Sequence, residues 1–275
     1  MQTRVEIADF ENWRVVAEEA AKVLRAGEVV ALPTETVYGL GADAFNAEAV
    51  ARVFEAKGRP SFDPLIVHIA GIRDLQRVAV VSEELEDVVR QLAKAFWPGP
   101  LTMVLPKHDD VPDLVTSGLP TVAVRVSKHE VMRLLTKELG PIAAPSANRF
   151  GRISPTSASA VLTELNERIP LIVDGGACSN GLESTIIAVE VGEKRPVLRL
   201  LRPGPVTREE LQKFGKVPRA GRVTDDRPAA PGSLDSHYAP EIPVLLHDSP
   251  EEFEPEEGKR YALLSYRGEA KDGYL

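Results

Sequence analysis

The sequence predicts an α/β domain with a mixed, twisted sheet and flanking helices over residues 1–215, followed by a linker and a partial C-terminal α/β segment. Three observations carry this. Short apolar runs alternate with helical apolar stripes along the chain. Glycine and proline mark many of the boundaries between them. Hydrophobic residues make up 43% of the 275, ample for a buried core.

Taken in order, Trp13, Val16, Ala20, Val23 and Leu24 form a helical stripe closed by Gly27, and Val29–Leu32 follows as a short buried strand. Asn46 is placed to cap a helix that carries Val50, Val53 and Phe54 on one face. Leu65–Ile69 reads as the next strand. Ser82 opens a longer helix, with Glu83 and Glu84 in the first turn complementing its dipole. Leu85, Val88, Val89, Leu92 and Phe96 are its buried stripe, and Pro98-Gly99-Pro100 stops it. Further strands are expected at Leu101–Leu105, Thr121–Val126, Ile142–Ala144, Leu171–Asp174, Ser184–Val189 and Val197–Leu201. Helices are expected near Glu130–Leu139 and Ser157–Leu165.

Residues 216–240 change character, with Pro218, Gly221, Pro228, Pro231, Gly232 and Pro240 and little apolar periodicity, and read as a linker. In segment 241–275, Ile242–Leu246 and Arg260–Ser265 read as two strands around an acidic loop. Two such strands are too few for an independent domain, so this piece is expected to be incomplete or to pack on something else.

Net charge is −8, and its distribution is informative. Residues 241–275 hold nine acidic and four basic side chains, leaving 32 acidic against 29 basic in the rest. A generic nucleic-acid binder should show a clear basic excess or run, and neither is present, although a local basic groove stays open. The single cysteine, Cys178, excludes an internal disulfide and a cysteine metal cluster and fits a reducing cytosol. Asp9, Glu11, Glu18 and Glu19 interrupt any leader-like apolar core at the N-terminus. No apolar run approaches the roughly 18–20 residues that a membrane span needs. The expectation is a cytoplasmic protein without a membrane segment.

Several segments carry chemistry. Pro33-Thr34-Glu35-Thr36-Val37-Tyr38-Gly39-Leu40-Gly41 follows a strand and reads as a ligand-contacting loop, its glycines allowing close backbone approach. Lys57 and Arg59 end the helix begun at Asn46; they either complement its dipole or clamp phosphates. His68 lies within an apolar strand, where a satisfied core histidine and a functional one look alike. Arg125 lies in an otherwise apolar strand and must be paired, by an acidic residue or by an anionic ligand, the latter being favoured. Pro145-Ser146-Ala147-Asn148 makes a second hydroxyl-and-amide cluster at a strand exit. The chain has no GxxxxGK[ST] phosphate loop, no HExxH, no CxxC and no GxSxG, and its five histidines lack metal-ligand spacing.

Together these segments resemble the YrdC-like family in its long form, the threonylcarbamoyl-adenylate synthases. The resemblance runs in family order through Pro33–Leu40, Lys57-x-Arg59-Pro60, Pro64–His68, Trp97–Thr102, Thr121–Arg125 and Ala144–Asn148. It continues through Asp174-Gly175-Gly176, Glu183–Ile187 and Leu201–Pro205, and the long form is suggested by Ala230-Pro231-Gly232 and His237-Tyr238-Ala239-Pro240. It implies a YrdC-like catalytic domain over 1–215, a linker over the active site at 216–240, and the start of a Rossmann-like domain at 241–275.

The activity implied is condensation of L-threonine, bicarbonate and ATP to threonylcarbamoyl-adenylate and pyrophosphate, with magnesium accompanying ATP and no protein-bound metal. Lys57 and Arg59 are the implied catalytic cations. Threonine contacts fall at Thr36, His68, Arg125, Ala144 and Ser184. ATP contacts fall at Lys57, Arg59, Asp63, Thr121, Ser146, Asn148, Ser154 and Arg202, and His237 and Tyr238 belong to a linker lid. Asp63 departs from the asparagine of several relatives, and a carboxylate cannot donate to a nucleotide. The implied downstream partner is a tRNA-modifying transferase. The rival readings are an RNA-binding module, with direct tRNA contact, and a carbamoyl-adenylate-forming enzyme.

Overall fold

The computed structural model describes residues 2–218, 244–254, 256 and 258–265. The first half of the chain forms β1 (Arg4–Ile7), α1 (Trp13–Arg25), β2 (Val30–Leu32), β3 (Gly39–Asp43), α2 (Ala47–Lys57), β4 (Ile66–His68), α3 (Glu83–Phe96) and β5 (Leu101–Pro106). There follow α4 (Asp113–Thr116), β6 (Thr121–Arg125), α5 (Glu130–Leu139), β7 (Ile142–Ala143), α6 (Ala158–Leu165), β8 (Leu171–Asp174), β9 (Thr185–Glu190), β10 (Val197–Arg202) and α7 (Arg208–Leu211). The helix starts obey local chemistry. Asn46 accepts from the backbone N–H groups of Glu48 and Ala49, and Gly58 ends α2 in the left-handed region at φ 58°.

One ten-stranded sheet runs in the order β1-β8-β2-β3-β7-β4-β6-β5-β9-β10. It is mixed: β4 lies parallel to β6, whereas β7 pairs antiparallel with both β3 and β4. Strand alternation distributes the core to both faces. Val30 and Leu32 pack with α1 and α5, while Ala31 between them joins the opposite core under α2, α3 and α6. On the face shared with α1 and α5, the β4–β6–β5–β9 half carries only a small apolar cluster, Ile66, Val104, Ala123 and Ile186. By the same alternation, His68 and Arg125 stand on that face, which is where the cavity forms.

Two expectations are corrected. Residues 33–41 are not a single loop, because Gly39 and Gly41 lie in β3, which returns antiparallel to β2. A Cβ on Gly41 would meet Leu32 Cδ1 at 2.9 Å and Ile142 Cγ2 at 3.2 Å, so this glycine serves sheet packing. The two C-terminal strands are absent among the described residues: 244–246 and 260–265 have no strand pairing. Leu246 and Leu264 are 96% and 93% exposed, so the apolar area that should drive pairing is not buried.

The described residues divide into two compact units, within 1–239 and within 240–275. In the second, His247, Phe253 and Tyr261 form a small ring cluster beside the 3-10 turn Pro250–Glu252. The expected linker at 216–240 lies outside the described residues from 219 onward, as do His237 and Tyr238. Among the described residues, no helix is long and apolar enough to cross a membrane.

Candidate active site

Strand ends deliver most of the cavity. Thr34 and Thr36 come from the β2–β3 turn, Ile66 and His68 from β4, Arg125 from the end of β6, and Ala144, Pro145 and Ser146 from the exit of β7. Glu183 and Ser184 precede β9, Arg202 ends β10, and Arg59 enters from the segment after α2. His68 and Arg125 are direct register partners on neighbouring parallel strands.

Three arginines converge here, each paired with a carboxylate. Arg125 Nη2 stands 2.7 Å from Glu35 Oε1, with both side chains almost wholly buried. Its Nε donates to Gly99 O at 3.2 Å, and its Nη1 donates to Thr36 Oγ1 at 2.8 Å. Arg59 Nη2 stands 2.9 Å from Asp63 Oδ2 and donates to Pro64 O, while its Nε donates to Asp63 O. Arg202 pairs with Glu183 and donates to both Ser184 O and Ser184 Oγ at 3.1 Å. A guanidinium is always charged and has five donors, so a paired carboxylate and fixed carbonyls hold it in one orientation.

The acid–base states follow from these pairings. Burial alone would raise the Glu35 carboxyl, but Arg125 and the Ser127 hydroxyl override it and hold it at about 2. Glu35 Oε2 accepts from Ser127 Oγ at 2.6 Å and from Lys128 N at 3.0 Å. Burial, then the adjacent Arg125, pushes the His68 imidazole down to about 3, so it is neutral at physiological pH. His68 Nδ1 has no hydrogen-bond partner among the described residues. Lys57 is held well below the usual lysine range by burial and then by Arg59.

The structure brings Thr36, His68, Arg125, Ala144 and Ser184 to one cavity with Arg59, Ser146 and Arg202. The other five threonine or ATP positions named from the sequence do not line it. Lys57 Nζ donates to Ser146 O and, at 2.5 Å, to Asn148 O, holding the β7 exit from behind. Asn148 uses its amide on Arg149 O and Arg152 O. Asp63 sits behind Arg59, Ser154 donates to Glu183 Oε1 at 2.7 Å, and Thr121 is half-buried at the far end of β6. The polar groups absent from the sequence-based sets are Thr34 and the two acids Glu35 and Glu183. The signal for the acids was the arginines: a buried cation in an apolar strand needs an acidic residue or an anionic ligand, and Glu35 supplies the acid to Arg125 where the ligand was the favoured partner.

Comparison with known proteins accords with this geometry. The family model described as "Telomere recombination", covering Sua5, YciO and YrdC, matches residues 22–204, and a "Threonylcarbamoyl-AMP synthase, C-terminal domain" model matches residues 206–273. The chain is 46% identical over 246 residues to the threonylcarbamoyl-AMP synthase of Pyrococcus abyssi, covering 88% of this chain and 70% of the relative. It is also 46% identical over 239 residues to that of Bacillus subtilis, covering 85% and 67%. The crystal structure of Pyrococcus abyssi Sua5 complexed with L-threonine superposes with a TM-score of 0.76, covering 86% of this chain and 69% of that one. With the family match spanning the strands that build the cavity, the chain belongs to the Sua5–YciO–YrdC family, among the threonylcarbamoyl-AMP synthases.

Proposed function

We propose that the cavity binds L-threonine and ATP side by side and joins them through bicarbonate-derived carbon. The observation that carries this reading is that three guanidinium groups, Arg59, Arg125 and Arg202, meet hydroxyls from Thr36 and Ser184 in a single cavity. Two anions, an amino-acid carboxylate and a polyphosphate, then have separate cations within one enclosure. Arg125 would take the threonine carboxylate, with Thr36, His68, Ala144 and Ser184 around the rest of the amino acid. Arg59, Arg202 and Ser146 would meet the nucleotide, while Lys57, Asn148, Asp63 and Ser154 hold these groups from behind.

The threonine amine forms an N–C bond to bicarbonate carbon and water leaves, giving a carbamate. A carbamate oxygen then attacks the α-phosphorus, the bond to the β-phosphate bridging oxygen breaks, and pyrophosphate departs. Such a displacement needs reacting atoms within about 3–3.5 Å and fixed donors for the developing charge. Neutral His68 cannot add a competing charge beside Arg125.

Glu35, Asp63 and Glu183 are each engaged by an arginine, which suits a magnesium ion that arrives on the phosphate oxygens of ATP. When bound it would neutralise phosphate charge. We further infer a cytoplasmic setting, where ATP and bicarbonate are supplied, and a tRNA-modifying transferase as consumer of the product.

The test is pyrophosphate release from ATP with threonine and bicarbonate each omitted in turn, with the adenylate followed by chromatography. Release that ignores threonine would overturn the proposal.

A further inference from the structure

We infer that Thr34 is a positioning residue for the amino-acid substrate, because its hydroxyl sets the direction of the Thr36 proton and makes Thr36 present the cavity with an acceptor. The inference rests on the reading of Thr36 and Arg125 as threonine contacts, and it concerns a residue that reading does not use.

The assignment follows from counting protons. Thr34 Oγ1 donates to Val37 O at 2.6 Å, and a carbonyl can only accept, so the one hydroxyl proton of Thr34 is committed. Thr34 Oγ1 accepts from Thr36 N at 3.1 Å. It also stands 3.0 Å from Thr36 Oγ1. With no proton left on Thr34 for that contact, Thr36 must be its donor. Arg125 Nη1, which can only donate, reaches the same Thr36 oxygen at 2.8 Å. The Thr36 hydroxyl has therefore spent its proton and one lone pair, and its remaining lone pair is an acceptor. Thr34 and Thr36 are 3% and 1% exposed, so water is poorly placed to reshuffle the bonds.

This polarity matters for an amine nucleophile. An acceptor holds an N–H of the threonine amine and leaves the nitrogen lone pair available to attack carbon. A donor at that point would occupy the same lone pair. Fixing the hydroxyl before substrate arrives also removes a reorientation step from the reaction. Beside it, Arg125 keeps donors for the carboxylate, so the pair matches the two ends of an α-amino acid.

The experiment compares Thr34→Val, Thr34→Ala, Thr34→Ser, Thr36→Val and the Thr34→Val/Thr36→Val double variant in full-length protein, with thermal unfolding as the folding control. Threonine and ATP are varied separately. Deleting the Thr34 hydroxyl by either route is expected to lower kcat/KM for threonine about tenfold and to move KM for ATP less than about twofold. Thr34→Ser should restore the parent behaviour, and the double variant should be no worse than Thr36→Val alone. Unchanged threonine kinetics in Thr34→Val and Thr34→Ala, with Thr36→Val impaired, would overturn the inference. So would a Thr34→Ser variant as damaged as Thr34→Val, since shape and not the hydroxyl would then matter. If Thr36→Val itself leaves threonine kinetics intact, the underlying assignment of threonine contacts fails instead.

Discussion

Arg125 and Glu35 cannot be understood separately. Removing the arginine alone leaves a buried carboxylate without its counter-charge, a loss of about 3–5 kcal/mol for such pairs, so Arg125→Ala confounds folding with binding. The Arg125→Ala/Glu35→Gln double variant removes both charges and isolates the binding role. We expect it to fold and to lose about 2–4 kcal/mol of threonine affinity, with ATP affinity little changed, as read by calorimetric titration. Unchanged threonine affinity would assign the pair to the scaffold alone. The same pair predicts a pH signature. Glu35 is held at about 2, below the ordinary 4.5, so its contribution is complete above the ordinary value and is lost as pH falls. The stability gap between the parent and Glu35→Gln should be largest at neutral pH, on the order of 3 kcal/mol in its pH-dependent part. It should shrink between roughly pH 5 and pH 2 in denaturant unfolding; a gap constant over that range would rule out the depressed carboxyl.

At the scale of elements, the C-terminal turn of α2 and the exit of β7 form one device. From the sequence, Lys57 and Arg59 could be dipole partners or a phosphate clamp, and under the first reading their loss should cost under about 1 kcal/mol. The fold gives Lys57 a further role. Both are buried, and Lys57 ties α2 to the carbonyls of Ser146 and Asn148. Lys57→Ala would leave two carbonyls without their donor, at about 1–3 kcal/mol for an unsatisfied buried group. The expected result is a lower unfolding midpoint together with weakened ATP turnover. A midpoint equal to the parent would show that another donor replaces the lysine. The β2–β3 hairpin is the other device. Its turn places Thr34, Glu35 and Thr36 in succession, and Gly41 allows β3 to lie close against Leu32 and Ile142.

For the whole molecule, the question is where the catalytic unit ends. Leu198 N donates to Lys216 O, Lys216 N donates to Pro196 O, and Val217 is buried. Phe214 makes an edge contact with Phe96 of α3, at 5.5 Å between ring centres. A chain ending at Phe214 would therefore lose packing and backbone bonds, whereas one ending at Pro218 keeps them. We expect residues 1–218 to fold and bind threonine, yet to yield less intact threonylcarbamoyl-adenylate per pyrophosphate released than the full chain. This follows from the reading of His237 and Tyr238 as covering groups that exclude water from a labile product. Chromatography of the adenylate alongside a pyrophosphate assay measures the ratio. Equal ratios would reduce segment 219–275 to a tether.

The sequence by itself determined the α/β class, the order of most strands and helices of the first unit, and eight of the residues that line the cavity. Those features are written in local periodicity, caps and breakers, which act over a few neighbouring residues. It passed over β1, a short edge strand with alternating polar positions, β3, hidden inside a segment whose glycines and hydroxyls read as loop, and the four-residue helices α4 and α7, too short to show a periodicity. The tertiary structure alone decided pairing. Glu35 meets Arg125 across 90 positions of chain, Lys57 meets Asn148 across 91, and His68 stands beside Arg125 only because β4 and β6 are parallel neighbours. Non-local pairing is set by sheet order and register, and neither is encoded in any one segment. For the same reason the proton on Thr36 became assignable only after Arg125 and Val37 had been placed around it.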